Sequence, residues 1–102
     1  MNPLWEESEF IFCDLQTASR YIARDNPTVA TELVEAAYET FEFLARNPGV
    51  GQKRGDLGFP KVRSWRIKGF RRYLIFYREL PDRVQIWRVL HSARDLDQRL
   101  AE

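Results

Sequence analysis

Apolar positions along this chain recur at two different periods, and the change from one to the other falls near residue 50. From about Ser8, the residues Ile11, Leu15, Ala18 and Ile22 follow at spacings of four, three and four, which lays one apolar stripe along a helix. Ser8 is placed as its N-cap, with Glu9 in the first turn where a carboxylate suits the helix dipole. Asp25-Asn26-Pro27 breaks that stripe: Asn26 can cap a second helix and Pro27 fits its first position, where a missing N–H costs nothing. The second helix runs from Pro27 to about Arg46 and buries Ala30, Leu33, Ala37, Phe41 and Leu44. Glu32, Glu35, Glu39 and Glu42 share another face of it and read as a solvated ridge. Asn47-Pro48 ends it, because the residue before a proline is pushed out of the helical region.

Beyond residue 60 the pattern becomes that of strands rich in β-branched and aromatic residues. Lys61–Lys68, Arg72–Glu79 and Arg83–Leu90 are joined by Gly69-Phe70 and by Leu80-Pro81-Asp82, an antiparallel meander in which Gly69 supplies a positive φ. Gly49–Pro60 reads as a connector: it is rich in glycine, but the phosphate-loop spacing is absent and no strand precedes it. Leu4-Trp5 is a candidate short edge strand, and Ala93–Leu100 has the composition of a short C-terminal helix. The expected fold is therefore α+β. One domain spans residues 1–102, with a helical hairpin packed on a twisted antiparallel sheet of three to four strands.

Composition narrows the class without identifying it. The chain has 102 residues, 44% hydrophobic and 14% aromatic, which suits a folded domain. No run approaches the roughly 18 apolar residues of a membrane span, and the acidic start MNPLWEESEF lacks the marks of a signal peptide. A lone Cys13 excludes an internal disulfide and fits a reducing cytoplasm; with a single His, it leaves no expectation of a metal or other cofactor. Charge is more informative. Residues 1–50 hold three basic and nine acidic side chains, net −6, and residues 51–102 hold thirteen and six, net +7. Either the basic half meets an anionic partner, or the two halves attract each other within the fold.

No catalytic triad is legible, since His91 has no nucleophile beyond the poorly placed Ser92, and Cys13 reads as a buried, inert thiol. Cation density on the meander, nearly all arginine, stands out: Arg63, Arg66, Lys68, Arg71, Arg72, Arg78, Arg83, Arg88 and Arg94. Helices on one face of the sheet leave the other free, and guanidinium groups converging there suit phosphate or carboxylate. Trp65, Tyr73, Phe76 and Trp87 alternate with these cations and read mostly as core. Arg88, mid-strand between Trp87 and Val89, either pairs with Asp95 or a glutamate or lines a site.

Four segments resemble a known family. YIARDNPTVA (Tyr21–Ala30), LARNPGVGQKR (Leu44–Arg54), YLIFYR (Tyr73–Arg78) and above all RVLHSARDL (Arg88–Leu96) are similar to the ParE branch of the RelE/ParE toxins of type II toxin–antitoxin systems. The resemblance runs in consistent order along about the whole chain. It implies a short N-terminal strand before the hairpin and a bacterial, cytoplasmic toxin that poisons DNA gyrase. It also implies a cognate antitoxin with a ribbon-helix-helix or similar DNA-binding region, in a toxin–antitoxin hetero-oligomer.

The RelE branch instead cuts mRNA on the ribosome, and two positions bear on that choice. RelE-like enzymes carry an arginine after the first tyrosine of the fourth-strand motif and a tyrosine in the C-terminal segment. Here Leu74 follows Tyr73, and no tyrosine follows Tyr77. The gyrase-directed, non-nucleolytic reading is favoured. Its alternatives are an mRNA endoribonuclease using His91 as acid or base, and a non-toxic antitoxin-binding module. The residues expected to bind target or partner are Arg63, Arg66, Arg71, Arg72, Arg88, His91 and Arg94, with the RVLH-x-x-RDL segment turning at His91-Ser92 to bring Arg94 back beside the sheet edge.

Overall fold

A computed structural model describes residues 4–96 of the chain. Strand β1 (Trp5–Glu7) leads into helices α1 (Ile11–Ala23) and α2 (Pro27–Arg46). Strands β2 (Gln52–Arg54), β3 (Phe59–Ile67), β4 (Phe70–Glu79) and β5 (Val84–His91) follow, with a short 3-10 turn over Gly55–Leu57. The sheet runs β1-β5-β4-β3-β2. The meander is antiparallel as expected, but β1 lies parallel to β5, with Trp5 opposite Val84 and Glu7 opposite Ile86. The sheet is thus mixed and five-stranded, against the three to four antiparallel strands expected. The strand missed outright is β2, whose Gln-Lys-Arg sequence has no apolar alternation because it is an edge of the sheet.

The helix boundary at Asn26-Pro27 is as the sequence predicts: Asn26 accepts the Val29 N–H on its side chain and Pro27 opens α2. The N-terminus of α1 differs. The helix begins at Ile11 after a turn at Glu9-Phe10, with Phe10 rather than Ser8 in the capping position, and Ser8 instead serves the sheet. Its N–H donates to the Ile86 carbonyl at 2.9 Å and its hydroxyl to the Trp87 carbonyl. Cys13 is exposed rather than buried, because the apolar stripe of α1 passes through Ile11, Leu15 and Ala18 and leaves residue 13 off it. The segment expected as a C-terminal helix begins as a turn over residues 92–95, and residues 97–100 lie outside those described.

Two apolar clusters hold the layers. Between helices and sheet, Ile11, Leu15, Leu33, Phe41 and Leu44 pack on Ile67, Tyr73, Ile75, Tyr77, Ile86 and Val89. Burying each such large side chain stabilises by about 1.5–3 kcal/mol. The opposite face is not left free: Val62, Phe76 and Leu90 are buried there beneath Leu57, Phe59, Trp87 and Leu96. The cations on that face are thereby pushed toward its rim. At that rim the β3–β4 turn uses Gly69 with φ 83°, as expected, and is pinned to α2 where the Lys68 N–H donates to the Thr40 hydroxyl.

The loop after α2 is fastened by one phenol. Tyr77 donates its hydroxyl proton to the Pro48 carbonyl at 2.8 Å and accepts the Gly51 N–H at 2.8 Å. Burial holds that phenol above its ordinary value, outweighing the opposite effect of the Gly51 N–H, so it stays a donor. A Cβ at Gly51 would sit 2.5 Å from the Tyr77 hydroxyl and 2.9 Å from the Ser64 carbonyl. Gly51→Ala is therefore expected to cost about 1–3 kcal/mol, as overpacking does, read as a lowered urea midpoint with an unchanged slope.

Candidate functional site

The structure divides the residues singled out from the sequence into three groups. Arg63 and Arg88 are fastened internally. Arg63 reaches Glu79 at 3.2 Å and the Gly51 carbonyl at 2.9 Å. Arg88 is 5% exposed and its partner is Asp14 on α1, not Asp95. Nε and Nη2 of Arg88 donate to the two Asp14 oxygens at 2.9 and 3.0 Å, and the guanidinium lies 4.4 Å from the centre of the Phe10 ring. The second group, Arg66 and Arg71, lines shallow cavities of about 340 and 360 Å³ at the β3–β4 rim. The third, Arg72, His91 and Arg94, gathers where β5 ends.

At that corner the chain turns at His91-Ser92, as expected. The Ser92 N–H donates to the Arg72 carbonyl at 2.7 Å and the Asp95 N–H to the His91 carbonyl at 3.0 Å. Asp95 Oδ2 accepts the His91 N–H at 2.9 Å. Arg94 comes back over the Tyr21 ring, 4.2 Å from its centre, and contacts Asp95 at 3.3 Å. With Thr17, Arg20 and Arg24 these two residues line a groove of about 340 Å³ along the end of α1. Partial burial works against the charge on Arg94, but Tyr73 and Asp95 outweigh it and hold its proton more firmly than usual. The Tyr73 hydroxyl is buried without a hydrogen bond of normal geometry, so its contact with Arg94 is electrostatic.

His91 stands edge-on to Tyr73, ring centres 5.2 Å apart. Its Nδ1 accepts the N–H groups of Ala93 and Arg94 at 3.2 and 3.1 Å. Accepting two backbone donors places the proton of the neutral ring on Nε2. Partial burial, then the Arg94 charge, push its pKa below the ordinary 6.5; Asp95 pulls the other way and Arg72 adds to the depression. A neutral imidazole with Nδ1 engaged and Nε2 protonated offers a donor and no lone pair.

A family model described as the ParE toxin of type II toxin–antitoxin systems, parDE, matches residues 13–96. The chain belongs to the ParE toxin family. Its fold is similar to that of a chain in a solved structure titled as the chromosomal ParDE toxin–antitoxin system from P. aeruginosa, with a TM-score of 0.71 and 19% identity. That likeness covers 88% of this chain and 96% of the other. No curated protein sequence matches it.

For a ParE-family chain, the residues that sequence reasoning passed over are Asp14 and Tyr21. Asp14 carried a signal of its own, as the single carboxylate of α1, set between Ile11 and Leu15 of its apolar stripe. Among the described residues no cluster of His, Cys, Asp or Glu could hold a metal ion.

Two outcomes test this geometry. Because the folded-state pKa of His91 lies below the unfolded value of 6.5, its neutral form is favoured by folding. That contribution is complete above 6.5 and disappears as pH falls through the folded value. Melting temperature is expected to drop from about pH 7 to about pH 5 more steeply in the wild type than in His91→Asn, whose side-chain oxygen can keep the turn. Parallel profiles would detach His91 from that transition. Arg88→Ala leaves Asp14 buried beside an apolar hole and is expected to cost about 3–5 kcal/mol in urea denaturation.

Proposed function

We propose that this chain is a bacterial, cytoplasmic toxin that arrests growth by acting on DNA gyrase and is silenced by a co-encoded antitoxin. The observation that carries the gyrase reading over mRNA cleavage is the state of His91. Its Nδ1 is occupied by two backbone N–H groups, so the one imidazole among the site residues has no lone pair with which to take a 2′-hydroxyl proton. Leu74 stands where the mRNA-cutting relatives carry an arginine, which removes a cation from the same chemistry. What remains at the corner is Arg94 and Arg72 beside a protonated Nε2, a set of donors suited to an acidic or phosphate group on a target.

The antitoxin reading rests on family membership and on surface character. Phe12 is 73% exposed on α1 and Tyr21 50%, with Arg20 and Arg24 on the same helix. An acidic, amphipathic segment of a partner would find there both apolar anchors and cations.

Purified chain, added in stoichiometric excess, is expected to inhibit gyrase supercoiling or to trap cleaved DNA. Arg94→Ala is expected to fold and bind antitoxin yet lose growth inhibition, since Arg94 is held by a partly exposed pair and a ring face rather than by the core. Primer extension on a translated message is expected to show no induced cuts. Cuts that disappear in His91→Ala would make the chain an mRNA endoribonuclease, and absence of growth arrest on induction would make it an antitoxin-binding module.

A further inference from the structure

Most arginines of this sheet are neutralised by carboxylates. Arg54 pairs with Asp56, Arg63 with Glu79, Arg83 with Glu6 and Asp82, Arg88 with Asp14 and Arg94 with Asp95. Arg78 stands apart on β4, hydrogen-bonded to Gln85; the other exceptions collect at one place. Arg66, Lys68, Arg71 and Arg72 fall within seven consecutive residues around the β3–β4 turn, and among the described residues none of them is in an ion pair. Each is exposed. Arg66 touches only an aromatic face, its guanidinium 5.8 Å from the centre of the Trp65 ring.

The surroundings of the turn favour an anion. The rim cavity of about 340 Å³ brings Gln52, Arg54, Ser64, Arg66 and Arg71 together, and that of about 360 Å³ is lined by Arg66, Gly69 and Arg71. No carboxylate lines either one. The Ser64 hydroxyl already accepts from Arg54 at 3.0 Å, so its own proton is available to an acceptor in the cavity. The turn is also rigid: Gly69 takes φ 83° and the Lys68 N–H is bonded to Thr40, so the four cations are presented by a fixed support.

We propose that this rim is a binding surface for the phosphodiester backbone of duplex nucleic acid, engaged directly by the toxin. The density of charge selects nucleic acid over an acidic peptide. An extended peptide shows one side chain per face about every 6.6 Å, whereas duplex DNA carries a negative charge about every 1.7 Å of its axis. Four cations carried by one turn can meet several of those closely spaced charges at once. Arginine forks contact phosphate oxygens bidentately and read no bases, so binding is independent of sequence. Arg72 adjoins the His91–Arg94 corner, but the test varies only Arg66 and Arg71 and uses the chain without gyrase; its failure would leave the gyrase reading standing.

The test is fluorescence anisotropy of a labelled 20-base-pair DNA duplex, titrated with the full chain at several salt concentrations. Three to four phosphate contacts predict a slope of log affinity on log salt of about −3, and a loss of about 40- to 150-fold between 50 and 200 mM salt. Arg66→Gln with Arg71→Gln should make that slope shallower by about two. The charge-matched pair Lys61→Gln with Arg78→Gln, two exposed cations away from the turn, should leave it unchanged. Should the tip pair misfold by circular dichroism, Arg66→Gln alone should still reduce the slope by about one. An RNA duplex binding with the same slope supports the backbone assignment. No binding at low salt, equal effects of the two pairs, or a polyglutamate peptide binding as tightly as the duplex would each overturn it.

Discussion

The carboxylate of Asp14 joins the two layers of this fold. It takes two hydrogen bonds from the Arg88 guanidinium and, on Oδ2, a third from the Val89 N–H. That last contact explains why a buried charge is tolerated here. Strand β1 pairs with β5 only as far as Ile86, and beyond that point the edge of β5 faces α1 with its backbone groups unmatched. Ser8 satisfies the carbonyls of Ile86 and Trp87, and Asp14 satisfies Val89, so side chains from the start of α1 continue the ladder that β1 leaves off. Arg88 then neutralises the carboxylate that performs this task. Break the pair and the helix layer loses its register on the sheet together with its buried charge balance.

Much of this was legible, and the failures share a cause. The core stripe of α2, its cap at Asn26, the glycine turn at residue 69 and the reversal at His91-Ser92 are local features, each written in a few adjacent residues. Arg88 was correctly read as anomalous for a strand interior, but the nearest carboxylate in sequence, Asp95, displaced the true partner 74 positions away. Strand β2 was invisible because an outer edge with three polar residues carries no alternation to detect. The covered far face of the sheet was missed for a related reason. Leu57 and Phe59 sit in a stretch read as connector, and only the three-dimensional return of that stretch lays them over Phe76 and Leu90.

The corner at His91 shows how a family motif can keep its residues while settling their chemistry. RVLHSARDL contains an imidazole, two arginines and an aspartate, a set that on composition alone suits acid–base work. The turn gives the imidazole a structural task. By folding Ala93 and Arg94 so that their N–H groups meet Nδ1, it uses the imidazole as the cap of the turn, while Asp95 caps the His91 N–H in return. The same exchange positions Arg94 over Tyr21. The histidine thereby fixes the backbone of the arginine that follows it, and the conformation of the motif depends on its imidazole.

Whether the acidic and basic halves of the chain merely attract each other has a mixed answer. Asp14 with Arg88 and Glu6 with Arg83 do join the halves. The glutamates of α2 do not: Glu32, Glu35 and Glu39 are exposed and make no ion pair among the described residues, and Glu42 pairs within its own helix with Arg46. The charge left after internal pairing is therefore separated, an acidic ridge on α2 and a basic rim at the β3–β4 turn, meeting only where Glu39 and Lys68 line a common groove. A net charge of +1 conceals this arrangement. Such a separated distribution orients the molecule in the field of a polyanion before contact, rim first and ridge away, and that orientation acts over about a Debye length, near 8 Å at physiological salt. Pairing Arg54, Arg63, Arg83, Arg88 and Arg94 inside the fold and leaving Arg66, Lys68, Arg71 and Arg72 together concentrates the basic field at one turn. For a protein of this size, that concentration supplies direction where net charge supplies none.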